Sequence, residues 1–283
     1  RDSFLNVIHA IACICRLQSM EIIVLLNGIN KGVKNMLKEK VVIITGASRG
    51  IGAATAKLFA KHGAKVVVNY ANNIEAAEGV VKDIHEMDGN SIAIQADVRN
   101  QEQMTSLVNQ TIEYYGRVDV LVNNAAINFA MKSFSDMEWD EFKPKIEEEL
   151  KAAFISTQAV LPIMKEQKNG KLIYISSALS HNPMPDFIAH GTAKAAINSF
   201  VRYLAQELGN YNITANTLAP GMVETDSTQN TPIEEKEKTA MYTPLGRIAQ
   251  PEDIARVALF LASGQSGFMT GSYIPVSGGM EMN

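Results

Sequence analysis

Lys40-Val-Val-Ile-Ile-Thr-Gly-Ala-Ser-Arg-Gly-Ile-Gly-Ala53 decides the fold. Val41 to Ile44 is a short, β-branched apolar run of the kind buried on both faces of a parallel sheet. It runs straight into a glycine-rich turn and then into Ala-Ala-Thr-Ala-Lys-Leu-Phe-Ala at helical spacing. Strand, glycine turn and helix together present free backbone N–H groups and the positive end of a helix dipole to a phosphate. In that pattern Gly46 permits the tight turn, Gly50 lets the backbone approach a pyrophosphate, and Gly52 lets the helix pack close to the strand. The stretch therefore predicts a dinucleotide-binding βα unit.

Outward from it, strands and helices alternate. Helix is expected at about 51–62, 74–88, 101–115, 146–166, 187–208 and 251–261. Strands are expected at Lys65–Tyr70, Ser91–Gln95, Val118–Val122, Lys171–Ser176, Asn212–Thr217 and Tyr273–Val276. This alternation predicts an α/β fold, a single doubly wound Rossmann-type domain whose parallel sheet carries helices on both faces through right-handed crossovers. No internal repeat or linker divides 38–283. Residues 1–37 read as a leader outside the fold, because apolar runs there are broken by Arg16, Glu21, Asn27 and Lys31. None of them reaches the roughly 18 residues a membrane span needs.

With 283 residues, 46% of them apolar, and net charge −4, the chain has ample material for one core and no basic surface for nucleic acid. Its two cysteines, Cys13 and Cys15, lie ahead of the first strand, so the body of the chain has no disulfide, which fits a cytoplasmic protein. Cys13-x-Cys15 with His9 lacks a second ligand pair, and no metal site is expected.

Several spaced motifs then act jointly: Thr45-Gly-x-x-x-Gly-x-Gly52, Asp97, Asn123-Asn-Ala125, Ser177, Lys194, Pro220-Gly221 and Gly278-Gly279. In this the chain resembles the short-chain dehydrogenases/reductases over essentially all of 38–283, and within them it is most similar to bacterial 3-oxoacyl-carrier-protein reductases. The resemblance implies hydride transfer between a nicotinamide and a small-molecule carbonyl or secondary alcohol. It further implies that Ser48, Arg49 and Ile51 line the phosphates and adenosine ribose, that Asp97 and Val98 flank the adenine, and that Asn124 and Ala125 lie under the ribose. Pro220, Gly221, Val223 and Thr225 would hold the carboxamide end. The second strand ends Asn69-Tyr70-Ala71-Asn72, with no carboxylate to bind a ribose 2′-OH and repel a 2′-phosphate. Asn69 and Tyr70 at that end, with Arg49 in the glycine loop, point to NADP over NAD.

The family's proton-transfer group is Ser, Tyr and Lys, with Tyr four residues before Lys and Ser thirteen before Tyr. From Lys194 those intervals land on His190 and Ser177. A further family position, an Asn ten residues after Trp139, is Glu149 here. Ser177 would orient the substrate oxygen, His190 would be proton donor, and Lys194 would hold the nicotinamide ribose and tune the relay. Lys194, one turn from His190, should lower the imidazole pKa, and Glu149 is expected to offset it and keep the ring charged. The alternative is an NADP-binding protein impaired in catalysis, a sensor or oligomer partner. The polar stretch Glu224–Thr243, with Glu234-Glu-Lys-Glu-Lys238, reads as a lid over the pocket and a solvated helix face. Family members pair through the helices at 146–166 and 187–208. A homotetramer or homodimer is therefore implied, with Ala153, Ile155, Ala159, Ile163, Ala196, Phe200 and Leu204 shared between core and interface. No membrane partner is expected.

Overall fold

The structure is a computed structural model that describes residues 35–282; residues 1–34 of the leader, with its cysteines and His9, fall outside the described residues, as do the expectations attached to them. Leu37–Asn283 forms one compact unit. Seven strands make a single parallel sheet in the order β3-β2-β1-β4-β5-β6-β7. They are β1 (Val41–Ile44), β2 (Lys65–Tyr70), β3 (Asn90–Gln95), β4 (Val120–Asn123), β5 (Gly170–Ile175), β6 (Ile213–Pro220) and β7 (Tyr273–Val276). The seven helices of eight residues or more among the described residues are α1 (Gly50–Lys61), α2 (Ile74–His85), α3 (Gln101–Tyr115), α4 (Trp139–Gln167), α5 (Ile188–Leu208), α6 (Ile233–Tyr242) and α7 (Pro251–Ala262).

The sheet forms because its central strands have no polar face. Val41, Val42, Ile43 and Ile44 are all fully enclosed, as are Val66, Val67 and Val68 beside them. α1 packs on α7 and α2 over one face, while α3, α4 and α5 pack together over the other. Each crossover needs a clean helix start. Asn73 and Asn100 accept N–H bonds from Ala76 and Gln103 at the heads of α2 and α3, which satisfies donors a helix otherwise leaves open. Leu37 is buried, and its N–H bonds the His62 carbonyl at 3.0 Å, so the fold takes in one residue more than the expected boundary at 38.

The strand order reverses between β1 and β4, and a doubly wound sheet opens a crevice at that point outside its carboxyl ends. Every candidate residue lies at that end. One expected boundary is corrected. The helix expected at 146–166 is a 29-residue helix that begins at Trp139 and runs through Pro144. Glu141 starts it by accepting the Glu138 N–H at 3.1 Å. The polar stretch contains α6, which buries none of its residues and is moored by Lys236 to Glu224 at 2.6 Å, in keeping with a solvated helix. No helix among the described residues is long and apolar enough to cross a membrane.

Candidate active site

The first wall of the crevice is the glycine turn. Gly46 and Gly50 adopt φ of +59° and +54°, backbone states that L side chains rarely enter. A Cβ on Gly52 would lie 2.6 Å from both the Asn124 Nδ2 and the Gly46 carbonyl, so only hydrogen fits. No side chain caps α1, and the N–H groups of its first turn are left for a ligand. Arg49 stands exposed at the N-cap with no partner among the described residues, and Ser48 and Ile51 flank it. The opposite wall is the end of β6. Thr225 sits 3.4 Å from where a Gly50 Cβ would be, while Gly221 is tied to β7 through the Val276 carbonyl at 3.2 Å. Val223 bridges to Ala249 and, like Pro220, is buried. A cradle of free N–H groups with no room for side chains fits a dinucleotide pyrophosphate.

Two of the expected cofactor contacts, Asn69 and Asn124, spend side-chain hydrogen bonds on the glycine turn and its neighbours. Asn69 is buried, accepts the Gly46 N–H at 3.3 Å and donates to the Ala96 carbonyl at 3.0 Å, so its amide is turned into the protein and does not face a ribose. Tyr70 is buried beside it. Asn124 donates through its amide to the Thr45 and Gly46 carbonyls at 2.9 and 3.1 Å and through its backbone N–H to the Thr45 hydroxyl at 2.9 Å, locking the end of β4 to the glycine turn. The hydroxyl of Thr45 also accepts the Ala125 N–H at 3.0 Å. Asp97, beyond β3, is chelated by Arg99 at 2.9 and 2.7 Å, which holds its carboxyl below the usual range; Val98 next to it is buried.

The proton-transfer residues meet where α4, β5 and α5 converge. Ser177 follows β5 at the head of a short turn, where its Oγ accepts the Leu179 N–H at 3.2 Å and keeps its own hydrogen for another acceptor. Lys194 is buried on α5 and donates to Glu149 Oε1 at 2.5 Å and to the Ile175 carbonyl at 2.8 Å. An ammonium has three N–H donors, so one remains for a ribose hydroxyl. His190 stands at the third residue of α5 and stacks on Phe129, with ring centroids 4.6 Å apart. Its Nδ1 is buried without a partner among the described residues, which leaves Nε2 as the nitrogen for a substrate.

Glu149 does not hold His190 in its charged form. Its two oxygens go to Lys194 and, at 2.6 Å, to Lys145, a residue the sequence reading did not single out. Burial alone would raise the Glu149 carboxyl, but Lys194 and Lys145 outweigh it and hold it at about 2. His190 is pushed down to about 3, first by burial and then by Lys194 and Lys145, with Glu149 too weak an opposing charge. The helix N-terminus acts in the same direction. At neutral pH the ring is an uncharged imidazole. Lys145 was hidden because α4 was expected to start at 146. With the helix running from 139, Lys145 and Glu149 lie four residues apart on one face, and a Lys–Glu pair at that interval was the available signal.

A doubly wound sheet with a phosphate cradle at its switch point, opposite a Ser–His–Lys cluster, defines a dinucleotide-dependent oxidoreductase. The chain belongs to the short-chain dehydrogenase/reductase family: the family model described as enoyl-(acyl carrier protein) reductase matches residues 46–281. It is 38% identical over 247 residues to a 3-oxoacyl-[acyl-carrier-protein] reductase of Synechocystis, covering 87% of this chain and 98% of that one. A 3-oxoacyl-[acyl-carrier-protein] reductase of Thermotoga maritima is 36% identical over 246 residues, 86% of this chain and 98% of its own. The crystal structure of a 3-oxoacyl-[acyl-carrier protein] reductase from Brucella melitensis superposes with a TM-score of 0.82 at 30% identity, covering 89% of this chain and 96% of the other. The chain is therefore an oxidoreductase acting on a C=O/CH–OH pair with a nicotinamide cofactor.

Proposed function

We propose that the protein is an NADP-dependent reductase of 3-oxoacyl-type carbonyls in which a neutral histidine is the proton donor. The observation that carries this reading is His190, an uncharged imidazole at the head of α5, next to the buried Lys194–Glu149–Lys145 cluster. NADP fits the cradle formed by Gly46, Ser48, Arg49, Gly50, Ile51 and Gly52 and by Pro220 to Thr225, and Lys194 has an N–H to spare for its nicotinamide ribose. Once bound, the cofactor supplies the reducing electron pair. Arg49, exposed and unpaired, and the absence of a carboxylate after β2 support a 2′-phosphate on it.

As the substrate carbonyl gains electrons, negative charge develops on its oxygen. The Ser177 hydroxyl donates a hydrogen bond to that oxygen and orients it. The His190 Nε2–H polarises the oxygen and then gives up its proton to the alkoxide. A neutral imidazole at a helix N-terminus is a known electrophile of this kind. The charges of Lys145 and Lys194 that disfavour imidazolium also stabilise the anionic ring left behind, just as they would a phenolate. Water in the cleft returns the proton. That Ser177 and Lys194 keep the family's residue types and intervals supports turnover over the binding-only alternative. A homodimer or homotetramer is supported by Ala159, Ile163, Ala196, Phe200 and Leu204, which stay partly exposed on α4 and α5, whereas Ala153 and Ile155 belong to the core.

Loss of NADPH absorbance with 3-oxoacyl and 2-enoyl thioesters tests this reading. Turnover of the 3-oxo compounds is expected, with no ionisation near pH 6.5 in kcat, and His190→Phe should lower kcat on the order of a hundredfold or more. Equal activity of His190→Phe, or turnover of enoyl substrates alone, would sink it.

A further inference from the structure

We infer that Lys145 is a positioning residue for the reaction, a buried strut that fixes the plane of the His190 ring through Phe129. Its side chain is 1% exposed, the most enclosed lysine among the described residues, and it makes three distinct contacts. The ammonium donates to Glu149 Oε2 at 2.6 Å and to the Ile127 carbonyl at 2.6 Å, and it lies 5.3 Å from the centroid of the Phe129 ring. Ile127 and Phe129 belong to the connection between β4 and α4, which is also held at Asn124 and Ala125 by Thr45 and at Lys132 by the Asp186 carbonyl and Glu141. Phe129 packs on Phe187 at 6.0 Å and stacks on His190 at 4.6 Å with 27° between the planes. Among the described residues the His190 Nδ1 has no hydrogen-bond partner to set the ring's orientation. Stacking on Phe129 therefore sets the ring plane, and Phe129 is itself held by the Lys145 ammonium and the Phe187 ring.

Glu149 joins Lys145 and Lys194 through its two oxygens, so the group that anchors the loop is rigidly coupled to the one that faces the cofactor ribose. One helical turn of α4 thus sets the imidazole and the lysine with respect to each other. A displacement of about 1 Å between reacting groups can cost on the order of a hundredfold in rate.

The inference rests on His190 being the proton donor, and the test separates the two. Lys145→Met keeps the length and apolar stem of the side chain but loses the charge and both donated bonds. Lys145→Arg keeps a cation, and Phe129→Leu removes the stack while leaving the ion pairs. Kinetics with NADPH and a 3-oxoacyl thioester are read beside NMR of ring-labelled histidine, which needs no turnover. For Lys145→Met a tenfold or larger fall in kcat is expected, with the KM for NADPH within about twofold, and the His190 ring resonances should lose the shift that Phe129 imposes. Lys145→Arg should recover most of kcat, and Phe129→Leu should reproduce the fall. If Lys145→Met does not fold, Phe129→Leu decides alone. Parent-like kcat with unmoved ring resonances in the folded variants would overturn the inference. If His190→Phe proves fully active while Lys145→Met still moves the ring, the proton-donor reading fails and the strut stands.

Discussion

Replacing His190 by Phe should change how the protein responds to acid, with a sign and size that follow from the site. In the fold the imidazole is held at about 3, against 6.5 for a free side chain. Between those values the unfolded chain binds a proton that the folded chain refuses. The group's stabilising contribution is therefore complete above pH 6.5 and is lost as pH falls toward 3. Each pH unit inside that window corresponds to about 1.4 kcal/mol. From pH 7.5 to pH 5.0 the parent should lose roughly 2 kcal/mol through this residue alone. Phe carries no proton, keeps an aromatic ring against Phe129 and leaves no orphaned nitrogen, so His190→Phe should not show that loss. Glu149 also penalises acid, but in the lower window between 4.5 and about 2, and both proteins retain it. Urea unfolding of parent and variant at equal protein concentration, at pH 7.5, 6.5, 5.5 and 5.0, measures the difference directly. The gap should widen by roughly 2 kcal/mol across the series. A gap that stays constant within about 0.5 kcal/mol would mean that the ring is free to charge in the fold, and the neutral-donor argument would fall with it.

Arg49→Ala should weaken NADPH binding on the order of tenfold or more while moving NADH less than about twofold, because only the former offers a 2′-phosphate to the guanidinium; titration of cofactor fluorescence checks it, and equal loss for both cofactors counts against NADP selectivity. Gly52→Ala pushes a methyl to 2.6 Å from the Asn124 Nδ2 and the Gly46 carbonyl. It should cost about 1–3 kcal/mol in denaturant unfolding and abolish saturable cofactor binding; a variant that binds normally would show the turn to be more yielding than its geometry implies. Glu149→Gln leaves two buried ammonium groups without their carboxylate. A stability loss on the order of 3–5 kcal/mol is expected from chemical denaturation, and a loss below about 1 kcal/mol would mean that water screens the cluster.

Much of this molecule is legible from residue order, for definite physical reasons. A strand buried on both faces has no choice but Val and Ile, so β1 and β2 announce themselves. A glycine that must adopt positive φ or receive a backbone at contact distance cannot be anything else, which makes Gly46, Gly50 and Gly52 readable. Ser177, His190 and Lys194 were found by interval, and the fold brings them to one end of β5 and α5. Side-chain amides were less legible. Asn69 and Asn124 stand where a cofactor contact is expected, yet both spend their hydrogen bonds on carbonyls of the glycine turn and its neighbours. Strand position tells which end of the sheet a residue occupies, and it does not tell where an amide with donors and acceptors of both kinds will turn.

The difference with the largest consequence is where α4 starts. Pro144 argues for a helix that starts after it, since a proline inside a helix removes a hydrogen bond and crowds the preceding turn. Here the acidic first turn and the Glu141-to-Glu138 bond carry α4 across it from Trp139. Moving the start by seven residues alters the chemistry assigned to the site. With a start at 146, Glu149 has no helical neighbour and looks free to charge His190. With a start at 139, Lys145 falls one turn before it and claims one oxygen, Lys194 claims the other, and the imidazole is left neutral. Two ammonium groups around one carboxylate leave a net positive charge beside the ring. That favours an anionic ring over a cationic one, so the same electrostatics that exclude imidazolium make the neutral N–H the better acid. A histidine acting in this setting would lose a proton from its neutral form, as a phenol does, and kcat should show no ionisation near pH 6.5.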